Sequence, residues 1–342
     1  MSTIYDISEK VNLSPSTVAR ALSGKGYVSQ AAKEKILQAA KDLQYVPVQA
    51  AKSLKSKITK KIMLCIPDIL NPYYFSMING VNDVLEKNQY YTVLVYSNHC
   101  PERELEIVQS LRERFVDGLI MVSFNFSEQL LKALQEVSIP TVLTNNLNSY
   151  KFEQQFDCVY VDHTKATYLA TQHCIESGHR KIAFLCGNTA EQTGRERLSG
   201  YRLALEENQI PFDERLVIES DYSLHGGQRA FSDYLAAGNL GSFSAVVCCN
   251  DLMGIGCMNA CVDFGLKPRQ DFSIITLDNT DYCICTNPRL SSVDMMQDQI
   301  GRNAAEFVLE QIRGQRDYKK TVILTPRLVI RDSVAQSEKA PE

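Results

Sequence analysis

The chain has 342 residues, 44% of them hydrophobic and 22% charged, a soluble globular composition with room for two or three domains. Its net charge of −4 excludes a uniformly basic nucleic-acid binder, but not a basic segment on an acidic body. No apolar run approaches the roughly 18 residues of a membrane span. Met1-Ser2-Thr3-Ile4-Tyr5-Asp6 lacks the charged and apolar regions of a secretory signal. A cytoplasmic location with no membrane partner is therefore expected. Eleven cysteines at irregular spacing read as small buried hydrophobes in a reducing compartment. Neither Cys257/Cys261 nor Cys283/Cys285 has the spacing of a zinc site, so no metal is expected.

Residues 1–61 hold eleven basic and four acidic side chains, about +7, which leaves about −11 for the rest. A basic module on an acidic body suits an anionic polymer. The first 45 residues predict three short helices. Thr3 and Asp6 have capping-box spacing before Ile7 and Val11, and Asn12 tolerates the left-handed turn that follows. Ser14-Pro15 starts a second helix carrying Val18, Ala21 and Leu22 on one side, which ends at Ser23-Gly24-Lys25-Gly26. Ser29 caps a third, with Ile36, Leu37, Ala40 and Leu43 at helical spacing. Two helices joined by about three residues make a helix-turn-helix. Gln49 to Leu54 allows one or two further helical turns, and residues 55–61 read as a basic linker.

From residue 62 strand-like runs alternate with helices. The first series is 62–67, 77–87, 91–96, 102–114, 118–122 and 141–143. A second begins at Cys158 to Val161 and continues through 166–177, 181–186, 197–207, 216–219, 226–237, 245–248, 253–264 and 272–277. Repeated βα units imply parallel sheets with helices on both faces, here two α/β lobes. Ligands in such sheets bind beyond the carboxyl ends of the strands, in the cleft between lobes. The domains expected are 1–46, a helix-turn-helix module; 47–61, a further helical turn or two and a linker; 62–334, the two-lobed core; and 335–342, a disordered tail.

Enzyme signatures are missing from the sequence. No GxGxxG follows the first strand, and neither a P-loop nor a GxSxG elbow occurs. His99, His163, His173, His179 and His225 form no metal-ligand spacing, and His179 reads as ordering a turn before a strand. No enzyme activity and no cofactor are expected.

Thr3-Ile4-Tyr5-Asp6-Ile7 followed by Leu13-Ser14-Pro15-Ser16-Thr17-Val18-Ala19-Arg20-Ala21-Leu22 resembles the LacI/GalR family of bacterial transcription regulators. So do the stretches 67–75, 116–120, 178–184, 195–201, 250–256 and 277–279, in the family's order over about residues 2–333. The resemblance implies an all-α helix-turn-helix headpiece, a hinge helix, and a core of two Rossmann-like lobes like the type I periplasmic sugar-binding proteins. It further implies a repressor on a near-palindromic operator in double-stranded DNA. Operator affinity would be modulated by a sugar or sugar phosphate in the interlobe cleft. A homodimer is favoured over a tetramer, because the tail after Val334 has no heptad.

On that resemblance the helix from Pro15 reads DNA. Arg20 is placed for a bidentate contact to guanine or, alternatively, for a phosphate. Ser16 and Thr17 serve bases or phosphates, and Pro15 offers apolar contact. Tyr5, Ser14, Ser23 and Tyr27 match backbone-positioning residues; for Ser14 helix capping, and for the tyrosines headpiece packing, is an equal reading. Leu54 matches the wedge that a paired hinge helix inserts into the minor groove, and Lys55 a phosphate contact. Ala19 and Val48 depart from the family's serine and asparagine.

In the cleft the resemblance implies Arg197, Asn250 and Asp278 from the second lobe and Asn71, Tyr74 and Phe75 from the first, with Tyr222 as an aromatic wall. An internal Arg197–Asp278 ion pair and plain aromatic packing are the structural alternatives. Asn145 stands where many sugar-responsive members have aspartate; the missing carboxylate weakens a simple free-sugar reading and would better tolerate an anionic ligand such as a sugar phosphate. A protein co-regulator of carbon-catabolite control remains an alternative to the small effector. A solute-binding protein or an enzyme is the remote one.

Overall fold

The computed structural model describes residues 2–24, 26–45, 58–124, 126–147 and 154–337. The expected hinge helix, with Leu54, Lys55 and Val48, lies outside them. The chain divides into Met1–Thr59 and Lys60–Glu342.

The first unit folds as its caps dictate. Helix α1 (Ile4–Val11) starts in a reciprocal box: Asp6 N donates to Thr3 Oγ1 at 3.4 Å and Thr3 N to Asp6 Oδ2 at 2.7 Å. Asn12 ends it in the left-handed region at φ 54°. Helix α2 (Pro15–Ser23) has Ser14 as its cap, proline at its first position and Gly24 at φ 67° after it. Helix α3 (Gln30–Asp42) is capped by Ser29. Ile7, Val18, Ala21, Ile36, Ala39 and Ala40 are buried together between the three. These are the apolar positions at helical spacing, so burial and capping select the same registers.

The second unit carries two six-stranded sheets. Strands β1 (Lys61–Ile66), β2 (Tyr91–Tyr96), β3 (Gly118–Met121), β4 (Thr141–Leu143), β5 (Asp157–Val161) and β11 (Thr321–Leu324) make the first, in the order β11-β5-β4-β3-β1-β2. Strands β6 (Ile182–Cys186), β7 (Val217–Glu219), β8 (Ala245–Cys248), β9 (Ser273–Asp278), β10 (Ser291–Asp294) and β12 (Arg327–Val329) make the second, in the order β12-β10-β9-β8-β6-β7. All neighbours pair in parallel except β10 and β12. The inner strands are apolar along their length because helices cover both faces.

This arrangement corrects the expectation of two consecutive series. Cys158 to Val161, read as opening the second series, pairs with β4 in the first sheet. The chain crosses to the second lobe after β5, returns after β10, and crosses again between β11 and β12. Sheet membership is a long-range property that local periodicity does not carry. Strands β10, β11 and β12, each three or four residues long, were not in the sequence reading.

On the returning segment, α12 (Gln297–Ile312) packs against α4 (Tyr73–Lys87) at backbone contact distance. A Cβ at Gly80 would overlap the Asp298 carbonyl, and one at Gly301 the Met77 carbonyl. The start of the expected disordered tail is held. Ala335 N donates to Ser273 Oγ at 3.0 Å and Ser337 N to Ser177 O at 2.8 Å. His179 joins Ser244 Oγ (3.0 Å) to Ala335 O (3.1 Å), so it orders this turn and the tail together. Gly80→Ala is expected to lower stability by about 1–3 kcal/mol in urea unfolding of the full chain. An unchanged midpoint would contradict the close helix contact.

Candidate functional site

Two sites are legible, one in each unit. In the headpiece, Ser14 Oγ accepts from Thr17 N at 3.3 Å and lies 2.9 Å from Ser16 Oγ and 2.8 Å from Thr17 Oγ1. Ser14 is thus a helix cap whose hydroxyl cluster faces solvent. Arg20 lies back along the helix: its Nε donates to Ser16 O at 3.3 Å and its Nη2 to Thr17 Oγ1 at 3.5 Å. Pro15, Ser16, Thr17 and Arg20 therefore share the leading end and outer side of α2, while Val18 and Ala21 point inward. Ser23 Oγ donates to Arg20 O at 3.3 Å. Tyr5 and Tyr27 are 70% and 90% exposed. Their rings contribute little to headpiece packing, which removes that alternative and leaves both free for an outside partner.

The second site is the cleft where the strands of both sheets end. From the first lobe it is lined by Asn71, Tyr73, Tyr74, Val122, Ser123, Phe124, Thr144 and Asn145. From the second come His163, Thr193, Arg197, Tyr222, Asn250 and Asp278. Seven of the eight residues expected there are brought together. The exception is Phe75, which is 47% exposed and outside the lining. A helix turns about 100° per residue, so Tyr73 and Tyr74 at the start of α4 face the cleft and Phe75 turns away. The two tyrosine rings meet edge to face, 5.0 Å apart.

Arg197, on helix α8 (Gln192–Glu207), is 4% exposed. Its Nη1 donates to Cys249 O at 2.8 Å, its guanidinium lies 5.7 Å from the centre of the Tyr222 ring, and its buried Nε has no partner among the described residues. Asp278 is buried opposite, at φ 111°, a backbone conformation that costs a non-glycine residue about 1–3 kcal/mol. Burial, and then the charge of Asp251, push its carboxyl well above the usual carboxylate range, with Arg197 pulling the other way. Among the described residues no ion pair joins Arg197 to Asp278, so the structural alternative for these two is not realised. The neighbouring Asp251 is consumed by the fold: it accepts from Thr276 Oγ1 (2.5 Å), Ser292 Oγ (2.9 Å), Thr280 N (2.6 Å) and Thr280 Oγ1 (2.8 Å).

The three asparagines are also bound to backbone. Asn250 caps α10 (Asp251–Asp263), accepting from Met253 N at 2.8 Å, and its Nδ2 donates to Tyr222 O at 2.8 Å. Asn145 donates to Ser123 O at 3.0 Å and accepts from Asn146 N at 2.7 Å. Asn71 accepts from Tyr73 N at 3.0 Å. They shape the cleft while Arg197 and Asp278 address its interior.

Sequence reasoning passed over His163, Tyr73, Ser123, Phe124 and Thr193. His163 opens helix α7 (His163–Glu176) directly after β5. Burial, and then Arg197, push its imidazole well below its usual value, and its buried Nδ1 has no partner among the described residues. The signal for it was position, a polar residue just beyond a strand's carboxyl end, which a search for metal spacing does not use. Phe124 stacks on Tyr222 across the cleft at 5.2 Å and 12° and on His99 at 5.1 Å and 1°. Such pairs contribute about 0.5–1.5 kcal/mol each beyond their buried area. On the inner side Gln192 Nε2 donates to Asn146 O and to Glu196 Oε1, both at 2.8 Å, tying the lobes together.

Among the described residues no helix is long and apolar enough to cross a membrane, and no cluster of His, Cys, Asp or Glu could hold a metal ion. All eleven cysteines are free, nine of them buried.

Comparison with known proteins places these features. The model of the bacterial regulatory proteins of the lacI family matches residues 3–48, and that of a periplasmic binding protein-like domain matches residues 171–334. The ribose operon repressor of Haemophilus influenzae is 30% identical over 334 residues, covering 98% of this chain and 99% of the relative. The transcriptional regulator CelR in complex with cellobiose is 26% identical, with a TM-score of 0.74, covering 97% of this chain and 100% of that one. The lac repressor dimer bound to operator and the anti-inducer ONPF, 24% identical with a TM-score of 0.84, covers 98% and 99% and shares the fold.

One group near the cleft titrates in a measurable range. Glu104, 6% exposed on α5 (Pro101–Ser110), accepts from Ser123 Oγ at 3.2 Å, yet burial pushes it up to about 7. A carboxyl raised in the folded state favours folding while protonated. Stability is therefore lost as pH rises from about 4.5 to about 7, by on the order of 3 kcal/mol from this group. Glu104→Gln is expected to remove that decline when urea unfolding at about pH 4.5 and about pH 8 is compared. The same decline in both proteins would contradict the burial of a neutral carboxyl.

Proposed function

Because the chain belongs to the lacI family of bacterial regulatory proteins, we propose that it is a homodimeric repressor whose operator affinity is set by a sugar or sugar derivative closed between its two lobes. It is a sequence-specific DNA-binding transcriptional regulator and not an enzyme. It acts in the cytoplasm, where its operator is. Two-fold protein symmetry calls for a near-palindromic operator.

The observation that carries the effector reading is Arg197, a buried guanidinium with an unpartnered Nε across from a carboxyl driven toward its neutral form. Leaving a donor of this kind unmet costs about 1–3 kcal/mol. A polyhydroxy ligand supplies acceptors to Arg197 and donors to Asp278 at once, and the tyrosine rings cover its C–H faces. The relative named for the ribose operon and the neighbour bound to cellobiose point to the same chemical class. A sugar phosphate fits this class as well, with Arg197 as its counter-charge and Asn145 adding no repulsion.

On the DNA side, the outer side of α2 supports Arg20 as the base-reading group, with Pro15, Ser16 and Thr17 beside it and Tyr5, Ser14, Ser23 and Tyr27 positioning the backbone. Leu54 and Lys55 keep the wedge and phosphate roles that family membership suggests. Arg20→Ala is expected to cost about 1–3 kcal/mol at a guanine-containing operator and to relax preference at one base pair per half-site. Uniform weakening across all operator variants would reassign Arg20 to phosphate. The effector reading is tested by thermal melts with free sugars, sugar phosphates, polyols and nucleobases. A ligand at about 100 times its dissociation constant adds about 2.7 kcal/mol, and Asp278→Ala is expected to abolish the shift. Intact operator binding with no shift from any of these would contradict the effector reading and favour a protein co-regulator.

A further inference from the structure

We propose that Phe124, Tyr222 and His99 form an aromatic gate across the mouth of the cleft, held closed by the ring stack that joins the two lobes; this rests on the reading of the cleft as an effector site. Four groups stand in file from the interior to solvent. The Arg197 guanidinium faces the Tyr222 ring at 5.7 Å, Tyr222 faces Phe124 at 5.2 Å and Phe124 faces His99 at 5.1 Å. Arg197 and Tyr222 are buried, Phe124 is half-buried and His99 is exposed. Tyr222 follows β7 of the second lobe, whereas Phe124 follows β3 and His99 follows β2 of the first. The Phe124–Tyr222 stack is the one ring pair among the described residues that joins the lobes.

The Tyr222 ring is held from behind. Tyr222 stands at φ 65°, its carbonyl tied to Asn250 Nδ2, and its ring lies where a Cβ on Gly187 would be. That makes glycine obligatory at 187 for the ring to lie flat. Phe124 sits two residues before the fully buried Phe126. The Tyr222 hydroxyl is buried without a partner among the described residues, so ring contact and not a hydrogen bond sets the closed position.

Aromatic stacking is non-covalent and of modest strength, so the gate opens readily for entry and recloses on a small ligand.

The chain has no tryptophan, so Phe124→Trp places a single indole in the gate of the full-length protein. Its fluorescence is expected to be shielded from acrylamide without ligand. Adding Tyr222→Ala is expected to raise the quenching constant at least about threefold, as fits a ring freed from its stack. Equal constants would overturn the gate. Should Phe124→Trp fail to fold, His99→Trp carries the same readout from the exposed end. Its emission is expected to shift to the red on adding Phe124→Ala, and an unmoved emission overturns the proposal. Silence of the wild type toward every sugar in thermal melts speaks against the effector reading, and the quenching result still decides the gate.

Discussion

Arg197 is a full positive charge taken out of water and given, among the described residues, one carbonyl as its hydrogen-bond partner. Desolvating a guanidinium is costly unless its donors are met, and the second lobe is built around that requirement. Strand β8 runs out at Cys248, so that the carbonyl of Cys249 points at the guanidinium. Helix α8 carries Arg197 to the strand ends. Asn250 holds the Tyr222 carbonyl, and with it the ring that covers the charge. Asp278 faces the cation from a strained backbone, but its carboxyl is driven toward the neutral form by burial and by Asp251. The cleft thus holds an unmet donor and an acid that a hydroxyl-rich ligand would complete.

The connectivity relates this cleft to the DNA-binding unit. The lobe that begins with β1 follows the headpiece in the chain, while Arg197, the charge proposed to meet the ligand, sits on the other lobe. Three crossings join the lobes, and the Gln192–Asn146 tie and the Phe124–Tyr222 stack connect them through side chains. A ligand bound by both lobes favours the geometry in which both sets of contacts are made. It can shift operator affinity only by its difference in affinity between the open and closed states. The small size of the lobe-to-lobe contacts suits that role, since a rigidly locked pair would leave nothing for a ligand to shift.

Much of this was legible in the residues, for reasons that are local. Thr3 with Asp6, Ser14 with Pro15, and Ser29 declare their helices because capping is short-range chemistry. The cleft residues Arg197, Asn250 and Asp278 follow from the family motifs around them. What escaped is non-local or a matter of orientation. Strand β5 lies in the first sheet because of a partner fifteen residues away, and β11 because of one more than 150 residues away. Phe75 and Tyr73 are separated by helical phase alone. Asn145 and Asn250 line the cleft as expected, but their bonds to backbone were not legible, since an asparagine's pattern does not tell a ligand contact from a backbone one. Phe124 carried no motif, and its importance arises only when the second lobe brings Tyr222 against it.

The account centres on Arg197 as a group kept for the ligand at some expense to stability. The most direct test is the melting temperature of Arg197→Met, with and without a ligand that shifts the wild type. Methionine fills the volume without the charge, so the ligand-free melt is expected to stay level or rise, as replacing a buried charge by an apolar side chain often allows. The ligand-induced shift is expected to vanish. A ligand-free melt that falls steeply, with the shift retained, would contradict the account and make Arg197 a structural residue of the second lobe.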